Sequence, residues 1–450
     1  MPAGARAVMR RAGVVLAACL AFAAGAARAT PYLVADAETG QVLLEKDATA
    51  VWYPASLTKL MTTYVALDAV KNGKLTLDTP LVMSARAARM PPSKMGFRPG
   101  TQVTLDNALK MLMVKSPNDV AVMIAEGVSG SVESFADSMN ETAARLGMRE
   151  SHFVNPNGLH NPAHVSSARD MAILARALLH DFPQEADLYS IGALQLGAQI
   201  IRNHNGLLGR YPGADGMKTG FTCPAGFNVV ASANHYGRRL IVVVLGSPSA
   251  KLRTQEAADL FERGFAGGGG GSGSLESLPA GTGQAPNMRS DVCLHRSAAA
   301  VAAAEEESAE MAQASQSGRG GGPLGFLGVG AAPARVELSD ERPQFVPVPV
   351  YIGPAPGWKG PVLAARPTAD DKLPAAVKAY SAEAPAVGAT EEDSGEPNAP
   401  TVLNGAVKTP PPPAHRTKRR AAVAEATKAP AKAPKPAKTA QPAAPADAAQ

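Results

Sequence analysis

Between residues 30 and 266 the spacing of apolar positions changes character twice. Short apolar runs come first: Tyr32–Ala37 and Gln41–Glu45 flank Glu38-Thr39-Gly40 and predict a β-hairpin. From Ser56 the apolar residues fall at Leu57, Leu60, Met61, Tyr64 and Val65, the spacing of a helix ending near Asn72-Gly73. Helical periodicity then dominates, over 105–114, 116–128, 131–147 and 167–180. Strand patterns return at Gly226–Asn234 and Arg239–Gly246 around His235-Tyr236-Gly237, and a last helix is expected from about Ser249 to Phe265. Strands at both ends of a helical middle imply one sheet assembled from distant parts of the chain, an α+β layered domain with a helical insertion.

The pattern stops at Gly267. A run of Gly and Ser to Ser274 reads as a flexible linker, and the rest of the 450 residues is mainly Ala, Pro, Gly, Ser and Glu. Such a composition buries too little apolar area to offset chain entropy, so 267–450 is expected to be a mostly disordered tail. Within it, Ala300–Gln316 reads as a short helix, and Pro410–Pro413 with the Ala-Pro-Lys repeats as polyproline-like chain. Pro343–Trp358, with Phe345, Tyr351 and Trp358 among prolines, reads as a Pro-rich spacer, with a docking segment as the alternative.

At the other end, Arg6, Arg10 and Arg11 precede the apolar run Ala12–Ala27, and Ala27-Arg28-Ala29 is a cleavage-site pattern. Residues 1–29 are therefore expected to be a signal peptide, leaving 30–266 as the folded domain of an exported, periplasmic or envelope protein. An uncleaved anchor and a lipoprotein site at Leu16-Ala17-Ala18-Cys19 are the alternatives.

Charge changes the picture only by its location. The net +5 falls to +1 without the four arginines of 1–29, and the last fifty residues carry nine Lys or Arg against two acids, a net of +7. Residues 30–400 are thus left at −6, which removes any basic face of the domain for nucleic acid. The basic tail is either a solvated spacer or a contact for anionic wall polymers or lipid headgroups. Cleavage would leave Cys223 and Cys293, expected to stay unpaired, with a single bridge as the alternative. His160, His164 and His204 lack metal-ligand spacing, and no metal or cofactor is expected. Met90, Met95, Met111 and Met113 read as packing residues.

Three motifs carry chemistry: Ser56-Leu57-Thr58-Lys59, Ser116-Pro117-Asn118 and Lys218-Thr219-Gly220. Chance alone puts about one S-x-x-K in a chain this long, so the weight lies in the ordered trio. Ser56 and Lys59, three apart on a helix, share a face; a serine needs a base, and a lysine serves as one only if its pKa is lowered. Ser56 as a helix cap is the plainer reading, as are a Ser-Pro cap for Ser116 and an exposed edge lysine for Lys218. In the chemical reading Ser116 relays a proton and Asn118 holds substrate, while Lys218 with Thr219 suits a carboxylate and Gly220 permits close approach.

Tyr53–Thr62, Met95–Gly100, Asn155–Leu159 and Asp215–Thr222 resemble the serine-type D-alanyl-D-alanine carboxypeptidases (peptidase S11 type), the low-molecular-mass penicillin-binding proteins. The resemblance covers roughly Pro31–Ala266. It implies a penicillin-recognising transpeptidase/β-lactamase-like fold, an antiparallel sheet flanked by helices with a helical subdomain. It further implies Ser56 as nucleophile, Lys59 as general base, Ser116 as proton relay and Asn118, Lys218, Thr219 and Gly220 as substrate-binding residues. The oxyanion hole would be the backbone N–H groups of Ser56 and Phe221. The implied partners are a peptidoglycan stem peptide ending in D-Ala-D-Ala and β-lactam inhibitors. Two features depart from the family: Pro117 stands where many members carry glycine, and no β-rich domain or amphipathic membrane helix is visible after the resemblance ends. A β-lactamase, a D,D-endopeptidase and a wall-binding scaffold working through the tail are the competing readings.

Overall fold

The structure, a computed structural model, describes residues 30–267, 273–294, 338 and 343–366. Strands β1 (Tyr32–Asp36) and β2 (Val42–Lys46) form the expected hairpin; a 3-10 turn, Ala55–Leu57, then runs into helix α1 (Thr58–Lys71). Next come β3 (Pro80–Val82), α2 (Ala85–Ala88), β4 (Gln102–Thr104), α3 (Leu105–Val114), α4 (Asn118–Ser129), α5 (Val132–Leu146) and α6 (Ala168–Asp181). The chain continues through β5 (Ala193–Leu196), β6 (Gln199–Arg202), β7 (Ala214–Thr222), β8 (Gly226–His235), β9 (Arg238–Ser247) and α7 (Ala250–Phe265).

The main sheet is antiparallel in the order β2-β1-β9-β8-β7, so the amino-terminal hairpin pairs with the end of the domain, as the pattern predicted. β8 and β9 are buried on both faces, which is why β9 reads as an unbroken apolar run over Leu240–Leu245 and β8 as a run interrupted only by buried Asn228 and Ser232 before its half-buried end. One face packs Val230, Ile241, Val243 and Leu245 against the helical body. The other packs Val229, Ala231, Val242 and Val244 against Ala257, Leu260 and Phe261 of α7. Burying a side chain of that size stabilises the fold by about 2 kcal/mol.

Helix starts follow their caps. The hydroxyls of Ser131, Ser167 and Ser249 accept from the backbone N–H groups of Ser134, Asp170 and Leu252 at 3.0–3.1 Å, which places each cap at or beside the predicted first residue. Gly130 and Gly147 close α4 and α5 in the left-handed region at φ 83° and 76°.

One expectation, that of unpaired cysteines, is corrected. Past Gly267, within the tail expected to be mostly disordered, two described stretches pack against the domain. Residues 273–294 fold back on the domain and bury Leu275, Leu278, Met288 and Val292. Arg149 and Arg169 donate to the carbonyls of Leu278 and Leu275 at 2.6 Å each. Residues 343–366 also lie against the domain, with β10 (Val348–Val350) added in parallel to β5. The cysteines are paired as well: the fold-back brings Cys293 to Cys223 across a separation of 70 residues, with Cα atoms 5.7 Å apart. Sequence spacing carried no sign of that approach, because burial of Met288 and Val292 creates it. The expected signal peptide, the 300–316 helix and the Pro/Lys stretch lie outside the described residues.

Candidate active site

The nucleophile candidate stands on a constrained turn. Ala55 has φ 49°, Leu57 N donates to the Pro54 carbonyl at 3.1 Å, and α1 begins one residue after Leu57, which leaves Ser56 half-buried at the helix mouth. Three neighbours fix this turn. Asn228 of β8 donates through Nδ2 to the carbonyls of Tyr53 (2.9 Å) and Pro54 (3.2 Å). Gly220 of β7 lies so close that a Cβ would sit 3.0 Å from Pro54 O and Ser56 N. Gly158, at φ +82°, lies closer still: a Cβ there would be 1.8 Å from Ala55 O, so only glycine fits.

Lys59 is fully buried, and its Nζ sits 2.9 Å from Ser56 Oγ, 2.9 Å from Asn118 Oδ1 and 2.7 Å from the Asn157 carbonyl. Burial, followed by the nearby Lys218 cation, drives its pKa well below the ordinary lysine value, while buried Asp119 opposes the shift. A neutral amine has two N–H donors and one lone pair. Two of the three neighbours are acceptors only, so the lone pair of neutral Lys59 meets the Ser56 hydroxyl, the one neighbour able to donate. In the cationic form all three neighbours accept. Both protonation states therefore fit one geometry, and the Ser56 O–H is the bond that reverses.

The surrounding groups hold this centre. Asp119 carboxylate accepts from Met95 N (3.0 Å) and Gly96 N (2.8 Å) and so ties down the 95–100 loop. His164 accepts at Nδ1 from Val154 N (3.0 Å), which leaves its Nε2–H to donate to Thr58 Oγ1 at 2.7 Å; burial drives its pKa to about 3 and keeps it neutral. The turn Asn155–Leu159 is closed by its own asparagine side chains and presents the Asn157 carbonyl to Lys59.

The second motif splits into two roles. Ser116 is buried at φ 60°, and its Oγ has no hydrogen-bond partner among the described residues. Asn118, expected to hold substrate, is already engaged at every polar atom of its side chain. Oδ1 accepts from Lys59, and Nδ2 donates to the carbonyls of Pro91 (3.0 Å) and Pro92 (3.1 Å). It is a strut between Lys59 and the 91–93 loop.

The third motif occupies β7, the edge strand of the main sheet, so its outer backbone groups face the cleft instead of another strand. Lys218 is buried, unlike the exposed edge lysine of the plainer reading, and donates to Thr219 O at 2.8 Å. Burial, then Arg253 of α7, brings its pKa down to about 7. Lys218, Lys115 and Arg253 also surround His204, whose pKa falls to about 4, mainly through burial. Three basic side chains thus cluster beside β7, a concentration of positive charge of the kind a carboxylate pairs with. Phe221, half exposed next to Gly220, stacks on Phe227 with centroids 4.2 Å apart.

Bonds or packing thus join Ser56, Lys59, Asn118 and Gly220, with Lys218 in electrostatic reach. Sequence reasoning missed Asn157, His164, Asp119 and Arg253. Asn157 acts through a backbone carbonyl and gives no side-chain signal, and Arg253 lies on a helix with no motif. The described residues hold no group of three or more side chains arranged for a metal. No described helix is long and apolar enough to cross a membrane.

Comparison with known proteins gives concordant results. A family model described as D-alanyl-D-alanine carboxypeptidase, peptidase S11, matches residues 20–249. The D-alanyl-D-alanine carboxypeptidase DacA of Haemophilus influenzae is 39% identical over 244 residues, 53% of this chain and 62% of that protein. Penicillin binding protein 5 of the same organism superposes with a TM-score of 0.50 at 38% identity, over 52% of this chain and 70% of its own. The carboxypeptidase structure from Mycobacterium tuberculosis H37Rv gives 0.50 at 32% identity, over 54% and 94%. The chain spans about three fifths of the length of the first of these relatives. The family match covers all three motifs and the turn that supports them: the chain belongs to the D-alanyl-D-alanine carboxypeptidases of peptidase family S11.

Proposed function

We propose that this chain is an exported D,D-carboxypeptidase that removes the terminal D-alanine of peptidoglycan stem pentapeptides through a Ser56 acyl-enzyme. The observation that carries the reading is the buried Lys59 amine, 2.9 Å from Ser56 Oγ, with its other two contacts filled by pure acceptors. The terminal carboxylate enters the pocket of Lys218 and Thr219. Neutral Lys59 takes the Ser56 proton as Oγ attacks the carbonyl carbon of the penultimate residue. Backbone N–H groups of Ser56 and Phe221 receive the oxyanion, stabilisation that is typically worth about 3 kcal/mol per donor. Ser116 Oγ, without a partner among the described residues, gives its proton to the leaving amine and takes the one that Lys59 accepted from Ser56, so Lys59 is neutral again as D-alanine departs. Water then hydrolyses the ester. A β-lactam carries an equivalent carboxylate and carbonyl and halts at the acyl stage.

The test is release of D-alanine from a peptide ending in D-Ala-D-Ala, together with labelling by a fluorescent penicillin. Both are expected of the wild type and neither of Ser56→Ala. Absence of D-alanine release by wild type sinks the proposal. Rapid turnover of penicillin in place of a lasting adduct would favour a β-lactamase, and cleavage of cross-linked dimers alone would favour an endopeptidase.

A further inference from the structure

Residues 343–366 lie in a groove whose shape depends on them. The Phe345 ring fills the space over Gly192 and Gly209: a Cβ at Gly192 would lie 2.2 Å from the ring, and one at Gly209 would lie 2.7 Å from Pro343 and 3.0 Å from Phe345. β10 pairs in parallel with β5, Val348 against Leu194 and Val350 against Leu196, and Val350 is buried. Alternate backbone N–H groups of a strand point to opposite edges, so Pro347 and Pro349 leave β10 with donors on one edge only. The segment continues as backbone ties. Tyr351 N donates to Asn107 Oδ1 (3.3 Å), and Gly353 N to Gln102 O (2.6 Å). Leu363 bonds β3 twice, its N to Pro80 O and its carbonyl from Val82 N, both at 2.9 Å. A pair of glycines that accommodate one aromatic, followed by exposed strand edges that are satisfied in turn, is a built peptide site of the strand-addition kind.

The groove is connected to both walls of the cleft. On one side Asn203 N donates to Gly192 O (2.8 Å), Asn205 N to Asn203 Oδ1 (2.9 Å), and Asn205 Nδ2 to Gly216 O (2.9 Å) on β7, two residues before Lys218. On the other, Asn107 lies on α3, which ends one residue before Lys115-Ser116. We propose that the groove over β5, β4 and β3 is a docking site for an extended, proline-rich peptide, that its occupant is residues 343–366, and that docking sets the spacing of the second and third motifs. The last clause rests on the acyl-enzyme reading above; the docking itself does not.

The experiment uses full-length chains. Gly192→Ala adds a methyl whose three nearest neighbours are all atoms of the Phe345 ring, at a position without positive φ, and Phe345→Ala removes the ring. Each single variant is expected to slow acylation by fluorescent penicillin by more than twofold and up to about thirtyfold, the range by which mutations modulate coupling between sites. Amide exchange in 193–196 should rise in both. The double variant should match Phe345→Ala alone, because the nearest atoms that the added methyl meets are gone. A labelled peptide of sequence 343–366 should bind the Phe345→Ala chain, restore its acylation rate and fail to bind wild type. If Gly192→Ala proves unstable, Leu363→Pro, which removes the N–H bonded to Pro80 O, tests the same site from its far end. Unchanged exchange in 193–196 overturns the docking claim. Raised exchange with acylation within twofold of wild type, or additive effects in the double variant, overturns the coupling claim. Persistence of label in Ser56→Ala would instead refute the acyl-enzyme, and leaves the exchange and peptide results to be judged independently.

Discussion

Replacing Asn118 by Ala separates two views of the middle motif. If the amide chiefly holds substrate, its loss weakens binding and spares the fold. The structure assigns it three internal bonds: one from Lys59 Nζ at 2.9 Å and two to the Pro91 and Pro92 carbonyls at 3.0 and 3.1 Å. The neutral bonds are worth about 1 kcal/mol each and a bond to an amine that can carry charge about 1.5–3 kcal/mol, so Asn118→Ala should cost about 3.5–5 kcal/mol of stability. For a domain of this size that is a fall in Tm of roughly 7–20 °C. Lys59 also loses one of three anchors; in its proposed role as base, misplacement by the energy of that one bond slows acylation about 10- to 150-fold. Differential scanning fluorimetry and stopped-flow acylation by a fluorescent penicillin measure both quantities. A variant with wild-type Tm whose defect is confined to KM would refute the strut.

Gly158→Ala should be more severe than its single methyl suggests, since the new Cβ meets Ala55 O at 1.8 Å in a left-handed conformation; loss of penicillin labelling with a Tm drop of several degrees is expected, and wild-type labelling would contradict the packing. The acylation profile should fall on the alkaline side as Lys218, with its pKa near 7, loses the proton that attracts carboxylate, and Arg253→Gln should move that limb to higher pH by removing a neighbouring cation. The same depression makes the unfolded lysine the better proton binder from about pH 7 up to 10.5, so this group contributes stability that rises with pH across that window, readable as Tm in the ligand-free protein. Cys293→Ser opens a 70-residue loop and should cost up to about 4 kcal/mol; a Tm equal to wild type under non-reducing conditions would show that the fold-back is held without the bond.

The legible parts of this fold were those with a local physical signature. Capped helices at 131, 167 and 249 carried a serine followed by an apolar face, and β8 and β9 carried buried runs around a Tyr236-Gly237 turn. β3 to β6 were illegible because three or four residues do not establish a period. Pro343–Trp358 reads first as a spacer and only second as a docking segment because composition counts side chains, whereas residues 343–366 pack on the domain largely through backbone groups and one aromatic over two glycines. At the site, Ser56, Lys59 and Lys218 were visible as chemistry. The Asn157 carbonyl was not, because any residue type supplies one, and the internal partners of Asn118 were not, because they come from distant loops.

The bridge between Cys223 and Cys293 has a consequence for how the protein survives proteolysis. It turns the stretch between them into a closed ring, and the glycine-rich residues 267–273 are part of that ring. One cut in that run leaves a single molecule, unchanged in mass on a non-reducing gel and two pieces on a reducing one. The fragment carrying 343–366 therefore stays tethered at its groove after such a nick. A cut between 294 and 343 is outside the ring and would let that segment leave, so the position of a nick, not its occurrence, decides what the enzyme loses.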